Sequence, residues 1–223
     1  MSTRIRPSPL FTLLLLLPLS ACFKLARETP RLQQFVLSGA APKPAADARA
    51  GRTVGLRRLD LASYLAVPAI VVRRGANELV VSEFHRWGED LDESINRVVA
   101  ANLAGATMVR AVDVAPWPIG ARHDFIVQLH VTRFEGIADS AATQGRIHVL
   151  ANWDIVSPRT GAVLVRGTTD ERDGAWRVGD YAGLVTQLDS ALVRLARDIG
   201  TCIAGFPNDS TPPSSCSAPP RSR

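Results

Sequence analysis

The sequence predicts an α+β domain, an antiparallel β-sheet with two amphipathic helices packed on one face. Three observations point there. Residues 124–134 and 146–155 alternate apolar and polar side chains, as strands with one buried face do. Residues 91–103 and 184–199 repeat apolar side chains at helical spacing. Between residues 53 and 81, β-branched runs are separated by turn residues, as in hairpins.

The N-terminus precedes that domain. Arg4 and Arg6 stand before an apolar run, Leu10 to Leu17, which is too short to span a bilayer core that takes ~20 helical residues. A basic segment followed by a short apolar one has the layout of a secretory signal. Leu19-Ser20-Ala21-Cys22 then resembles a bacterial lipobox. It implies cleavage after residue 21, a lipid on Cys22 and a lipidated tether over 22–33. At ~0.8 kcal/mol per buried CH₂, more than one acyl chain makes such an anchor stable. Phe23 follows Cys22, where Asp would retain enterobacteria-like lipoproteins in the inner membrane, so the expected location is the outer membrane, facing the periplasm.

From Gln34 onward the elements follow in order. Gln34 to Ser38 reads as a short strand and Gly39 to Arg52 as an Ala- and Pro-containing loop. Thr53 to Leu59 is a strand, Tyr64 to Pro68 a turn, and Pro68 disfavours helix before it. Ala69 to Arg73 and Glu78 to Val81 are hairpin strands around Arg74-Gly75-Ala76-Asn77. Leu91, Ile95, Val98, Val99 and Leu103 form the stripe of the first helix. Asp90, Asp92 and Glu93 suit the positive end of its dipole, and Gly105 ends it. Val109 to Val114 is a strand closed by Pro116-Trp117-Pro118. Asp124–Phe134, Arg146–Ile155 and Val163–Thr169 are the central strands. Asp180 is an N-cap residue for the last helix, whose stripe is Leu184, Leu188, Leu192, Leu195 and Ile199. The domain is thus placed at 34–204. Residues 205–223 hold five Pro and five Ser and are expected to form a disordered tail.

Composition limits the function. Removing residues 1–21 from the 223 leaves 202, and losing Arg4 and Arg6 takes the formal net charge from +5 to +3. So small and dispersed an excess does not call for nucleic acid. Besides Cys22 there are Cys202 and Cys216, a candidate disulfide in an oxidising compartment; the alternative is two unpaired thiols.

No constellation carries catalysis. His130 and His148 fall on the polar faces of adjacent strands without a third metal ligand. His123-Asp124 has no Gly-x-Ser-x-Gly elbow to expose a nucleophile, and the glycines form no phosphate-binding fingerprint. No enzyme activity, metal or cofactor is therefore expected. Binding is the expectation instead. Arg86, Trp87 and Glu89 stand between the hairpin and the first helix as candidate partner contacts, with core capping by Phe84 and Trp87 as the alternative. Trp117 and Trp176 are read as loop residues able to anchor an interface.

The run Tyr64-Leu65, Pro68, Ile70-Val71, Arg73, Asn77-Glu78-Leu79 and Glu83-Phe84-His85-Arg86-Trp87 with Glu89 and Leu91 resembles the ABC-type transport auxiliary lipoproteins, the PqiC or YmbA-like family. Gly88 and Asp90 depart from its Ala and Pro beside the Glu. The resemblance extends over about residues 34–200. It implies a docking role in MCE-type intermembrane lipid transport, with an MCE-domain protein and an inner-membrane permease or ABC transporter as partners. It also implies a homo-oligomeric ring. A structural or envelope-assembly lipoprotein without transport is the other reading, and a periplasmic hydrolase a third that the missing nucleophile disfavours.

Overall fold

The computed structural model describes residues 30–39, 51–206 and 216. The chain divides into two compact units, 1–31 and 32–223, and the fold belongs to the second. Cys22, the signal segment and most of the Pro/Ser-rich C-terminus lie outside the described residues.

Ten strands and two helices follow in order among the described residues. They are β1 Gln33–Phe35, β2 Arg52–Leu56, β3 Asp60–Leu61, a 3₁₀ turn Ser63–Leu65, β4 Ala69–Arg74, β5 Glu78–Trp87, α1 Leu91–Ala104 and β6 Val109–Val114. Then come β7 Phe125–Ile137, β8 Gln144–Val156, β9 Val163–Glu171, β10 Ala175–Arg177 and α2 Tyr181–Ala204. All ten strands join one sheet. The α+β class is the one the sequence predicts, but the sheet is mixed rather than antiparallel. β7–β8, β8–β9, β8–β10 and β4–β5 are antiparallel. β1–β5, β2–β6, β2–β7, β3–β7 and β4–β7 are parallel.

The parallel pairs have one cause. β8 lines one edge of β7 from residue 126 to 137. The other edge receives β2 at 125–127, β3 at 130–131 and β4 at 136–137. Residues 52–74 are therefore one interrupted strand running alongside β7 in the same direction. It steps away from β7 at 62–68, through the 3₁₀ turn, before rejoining as β4. Antiparallel β5 returns beside β4, and Trp87 N–H donates to Pro68 O at 2.7 Å. The sheet thus forks, with the β2–β6 arm at one end of β7 and the β4–β5–β1 arm at the other.

The alternation seen in the sequence sets the two faces. Phe125, Val127, Leu129 and Val131 of β7 and Ile147, Val149, Ala151, Trp153 and Ile155 of β8 are buried in one core. Leu184, Leu188, Leu192, Leu195 and Ile199 of α2 and Ile95, Val98, Val99 and Leu103 of α1 fill the other side of it. A bulge between Val131 and Arg133 shifts the β7 register, so Phe134 joins the core and Glu135 faces the opposite side.

Several boundaries differ from the sequence reading. β5 runs on to Trp87 rather than stopping at Val81, because residues 85–87 have β1 as a further partner. Trp176 is not in a loop: it lies in β10, is 4% exposed and packs near Tyr181. The tail does not begin at 205, since Phe206 is 5% exposed and its ring lies 4.8 Å from that of Phe125. Cys202 and Cys216 form a disulfide with Cα atoms 4.9 Å apart.

Candidate functional site

Where the sheet forks, a groove of about 650 Å³ opens. One wall is the segment that leaves β7, contributing Leu59, Leu61, Leu65, Ala66, Val67 and Pro68. The facing wall is the β5–α1 corner, from Trp87 to Asp92. Leu65 and Trp87 lie beneath it and are almost wholly buried, with only 2% and 7% of their surface exposed. The rim is acidic, formed by Glu89, Asp90 and Asp92, and no lysine or arginine lines the groove.

The first wall is held from both sides. Leu65 points into the core, while Tyr64 points to the opposite face of the sheet, beside the β7 bulge. Its hydroxyl donates to Glu135 Oε2 at 2.8 Å and lies 3.1 Å from Thr132 O. Glu135 is fully buried and receives Arg73 through Nε and Nη2 and Arg133 through Nη1 at 3.1 Å. Burial, with the hydrogen bond to Glu135 second, pushes the Tyr64 hydroxyl pKa up to about 12. Two guanidiniums on one carboxylate satisfy its acceptor sites, as a buried charge requires.

The second wall is held by Glu89. It accepts from Ser94 Oγ at 2.8 Å and from Arg97, which also donates to Leu37 O at 3.1 Å. Glu89 therefore fastens the corner to α1, and through Arg97 to the chain after β1. Asp90 occupies the N-cap position of α1, yet its side chain makes no cap hydrogen bond.

Of the three candidate contact residues, the fold brings Trp87 and Glu89 to this groove and leaves Arg86 exposed beside it. Trp87 is not a free-standing anchor; its indole is part of the core, 6.0 Å from the Phe134 ring, and offers only an edge to the groove. Of the capping pair weighed from the sequence, Trp87 is in the core, whereas Phe84 is half-buried and outside that cluster. The other wall, Leu59 to Pro68, carries part of the family-like run in the sequence, but nothing local in it marks a binding surface.

The histidines do not converge. His130 registers with Asn152, and its Nδ1 lies 3.1 Å from Asp60 Oδ2. His148 registers with Glu135 and pairs with Asp170 at 3.0 Å. Burial, then Arg172, lowers the His148 pKa. His123 pairs with Asp113 at 2.9 Å, whereas Asp124 accepts from Thr53 N–H at 2.7 Å, so these neighbours serve separate structural contacts. Trp117 is half-buried, with its indole donating to Asp113 O and its ring 4.9 Å from His123. Among the described residues, no group of three His, Cys, Asp or Glu side chains could hold a metal ion. No described helix is long and apolar enough to cross a membrane.

Comparison with known proteins agrees with this architecture. The family model described as ABC-type transport auxiliary lipoprotein component matches residues 35–200. A Xanthomonas campestris protein of known crystal structure superposes with a TM-score of 0.63 at 16% identity, covering 77% of this chain and 95% of its own. A crystal structure of an uncharacterized protein superposes at 0.57, also at 16% identity, covering 77% and 97%. At such identities the likeness is one of fold. No curated protein matches.

Proposed function

This chain belongs to the ABC-type transport auxiliary lipoprotein family, and from that membership we propose that it is the docking component of an MCE-type intermembrane lipid-transport system. The match over residues 35–200 is the observation that carries this reading. Membership makes it a membrane-anchored auxiliary lipoprotein of a transport system. The finer role adds that its lipid sits on Cys22, that the anchor is in the outer membrane, and that the folded domain faces the periplasm. There it meets an MCE-domain protein served by an inner-membrane permease or ABC transporter, with several copies of the chain arranged in a ring.

The role needs an anchor, a rigid domain and a surface that recognises a partner. Cys22 supplies the first, and the sheet with its two helices supplies the second. The forked-sheet groove, with Trp87 and Glu89 on one wall and Arg86 beside it, supplies the third. No step of this role is catalytic, and we assign the chain no enzyme activity.

Affinity purification of the lipidated chain from its own membranes tests the reading. Co-purification of an MCE-domain protein with its permease is the expected result. Recovery of only peptidoglycan-binding or envelope-assembly proteins overturns it.

A further inference from the structure

We propose that the groove at the fork of the sheet binds an extended segment of a partner protein, with an apolar side chain against the leucine wall and a lysine or arginine against the rim. The inference rests on the docking reading in one respect: the segment is taken to belong to the transport partner.

Three observations select this occupant. The first is space: the groove holds about 650 Å³ and carries Leu59, Leu61 and Leu65 on one wall, which an apolar side chain can meet. The second is charge. Glu89 is paired with Arg97, but Asp90 and Asp92 have no ion-pair or side-chain hydrogen-bond partner among the described residues. The positive end of α1 amounts to roughly half a charge and cannot neutralise two carboxylates. The rim therefore attracts cations and repels phosphate, which disfavours an anionic lipid headgroup and favours a basic peptide. The third is backbone. β3 pairs only with β7, so among the described residues its other edge carries no strand. Leu61 of β3 and the adjacent Leu59 line the groove. A peptide laid there can add hydrogen bonds to that edge while alternate side chains meet the leucine wall, as in strand addition.

The test uses the full-length lipidated chain in phosphatidylcholine nanodiscs. The probe is a nine-residue capped peptide of alternating leucine and lysine, and the control replaces each lysine by glutamate. The lysine peptide is expected to bind and to slow amide exchange in residues 59–61, while the glutamate peptide does not bind. Asp90→Asn with Asp92→Asn is expected to weaken binding roughly five- to tenfold, the effect of losing two solvent-exposed charge pairs. Ala66→Trp, which fills the groove from the other wall and leaves α1 untouched, abolishes binding. Equal binding of the two peptides, unchanged affinity in both variants, or unchanged exchange at 59–61 overturns the proposal. Displacement of the peptide by phosphatidylglycerol vesicles also overturns it and assigns the groove to lipid. The docking reading fails separately. If the wild-type chain captures no MCE-domain protein while the peptide results hold, that reading falls and the groove chemistry stands. If Ala66→Trp captures the MCE-domain protein as well as wild type does, the groove proposal falls and the docking reading stands.

Discussion

Two buried polar residues on the sheet face away from the helices show how much one position decides. Glu135 is fully enclosed and is held by Arg133 of its own strand and by Tyr64 and Arg73 of the segment running beside it. Glu135→Ala leaves Arg73 almost buried with no counter-charge, and is expected to cost about 3–5 kcal/mol in urea unfolding. His148 stands directly across the ladder from Glu135, between Asp170, Arg172 and Arg133. Its pKa is lowered, by burial first, so the native state favours the neutral ring. Its contribution to stability is full above the unfolded pKa of ~6.5 and is lost as pH falls below it. His85, also lowered by burial, adds to the same slope. Asp170 is shifted down as well, chiefly by Arg172, so its contribution is lost only in stronger acid. The urea midpoint should thus fall between pH 7.5 and 5.5, and His148→Gln should flatten the fall without removing it. A wild-type midpoint unchanged across that window would contradict the burial argument.

Single elements obey local rules to different degrees. Asp180 caps α2 as the sequence predicts, its Oδ1 accepting from Gly183 N–H at 2.9 Å. Asp90, with the same residue type before a helix, leaves its cap unmade. At the start of α1, on the rim of the groove, the side-chain hydrogen bond is made instead between Ser94 and Glu89. The far end of α2 depends on a covalent link. Cys202 is in the core, and its bridge to Cys216 closes a sequence separation of 14. A loop of that length contributes about 3 kcal/mol. Cys202→Ser with Cys216→Ser, or reduction with dithiothreitol, is therefore expected to lower the unfolding free energy by about 2–3 kcal/mol. A smaller loss would mean that packing of Phe206 on Phe125 holds the end of α2 without the bond.

For the molecule as a whole, the proposed anchor at Cys22 can be tested apart from the domain. On the proposed reading, Cys22→Ser removes the thiol that would take the lipid, and with it the acyl chains that would hold the chain on a membrane. The expected outcome is movement of the chain from the membrane to the soluble periplasmic fraction, with the domain still folded by circular dichroism. Retention of the variant on washed membranes would point to a second attachment. Much of this molecule was legible in the sequence because its signals are local. Period-2 alternation in 124–134 and 146–155, the helical stripes and the Asp180 cap each need only neighbouring residues to be read. Of the candidate contacts Arg86, Trp87 and Glu89, chosen by their place at a strand–helix junction, Trp87 and Glu89 line the groove and Arg86 does not. The parallel pairings could not be read, because they depend on residues 52–74 lying beside residues 125–137, and nothing in either stretch names the other. Nor could the groove, whose walls come from a proline-ended turn and a corner about twenty residues later. The sequence determined the two helices and the central strands β7, β8 and β9, since backbone and side-chain periodicity are properties of neighbours, but not β10 or the second half of β5. Only the tertiary structure decided that the sheet forks and that Trp87 lies in the core beneath the groove. It also decided that Asp90 and Asp92 face an open groove. Burial and charge depend on which distant segment arrives opposite, and that is settled by packing.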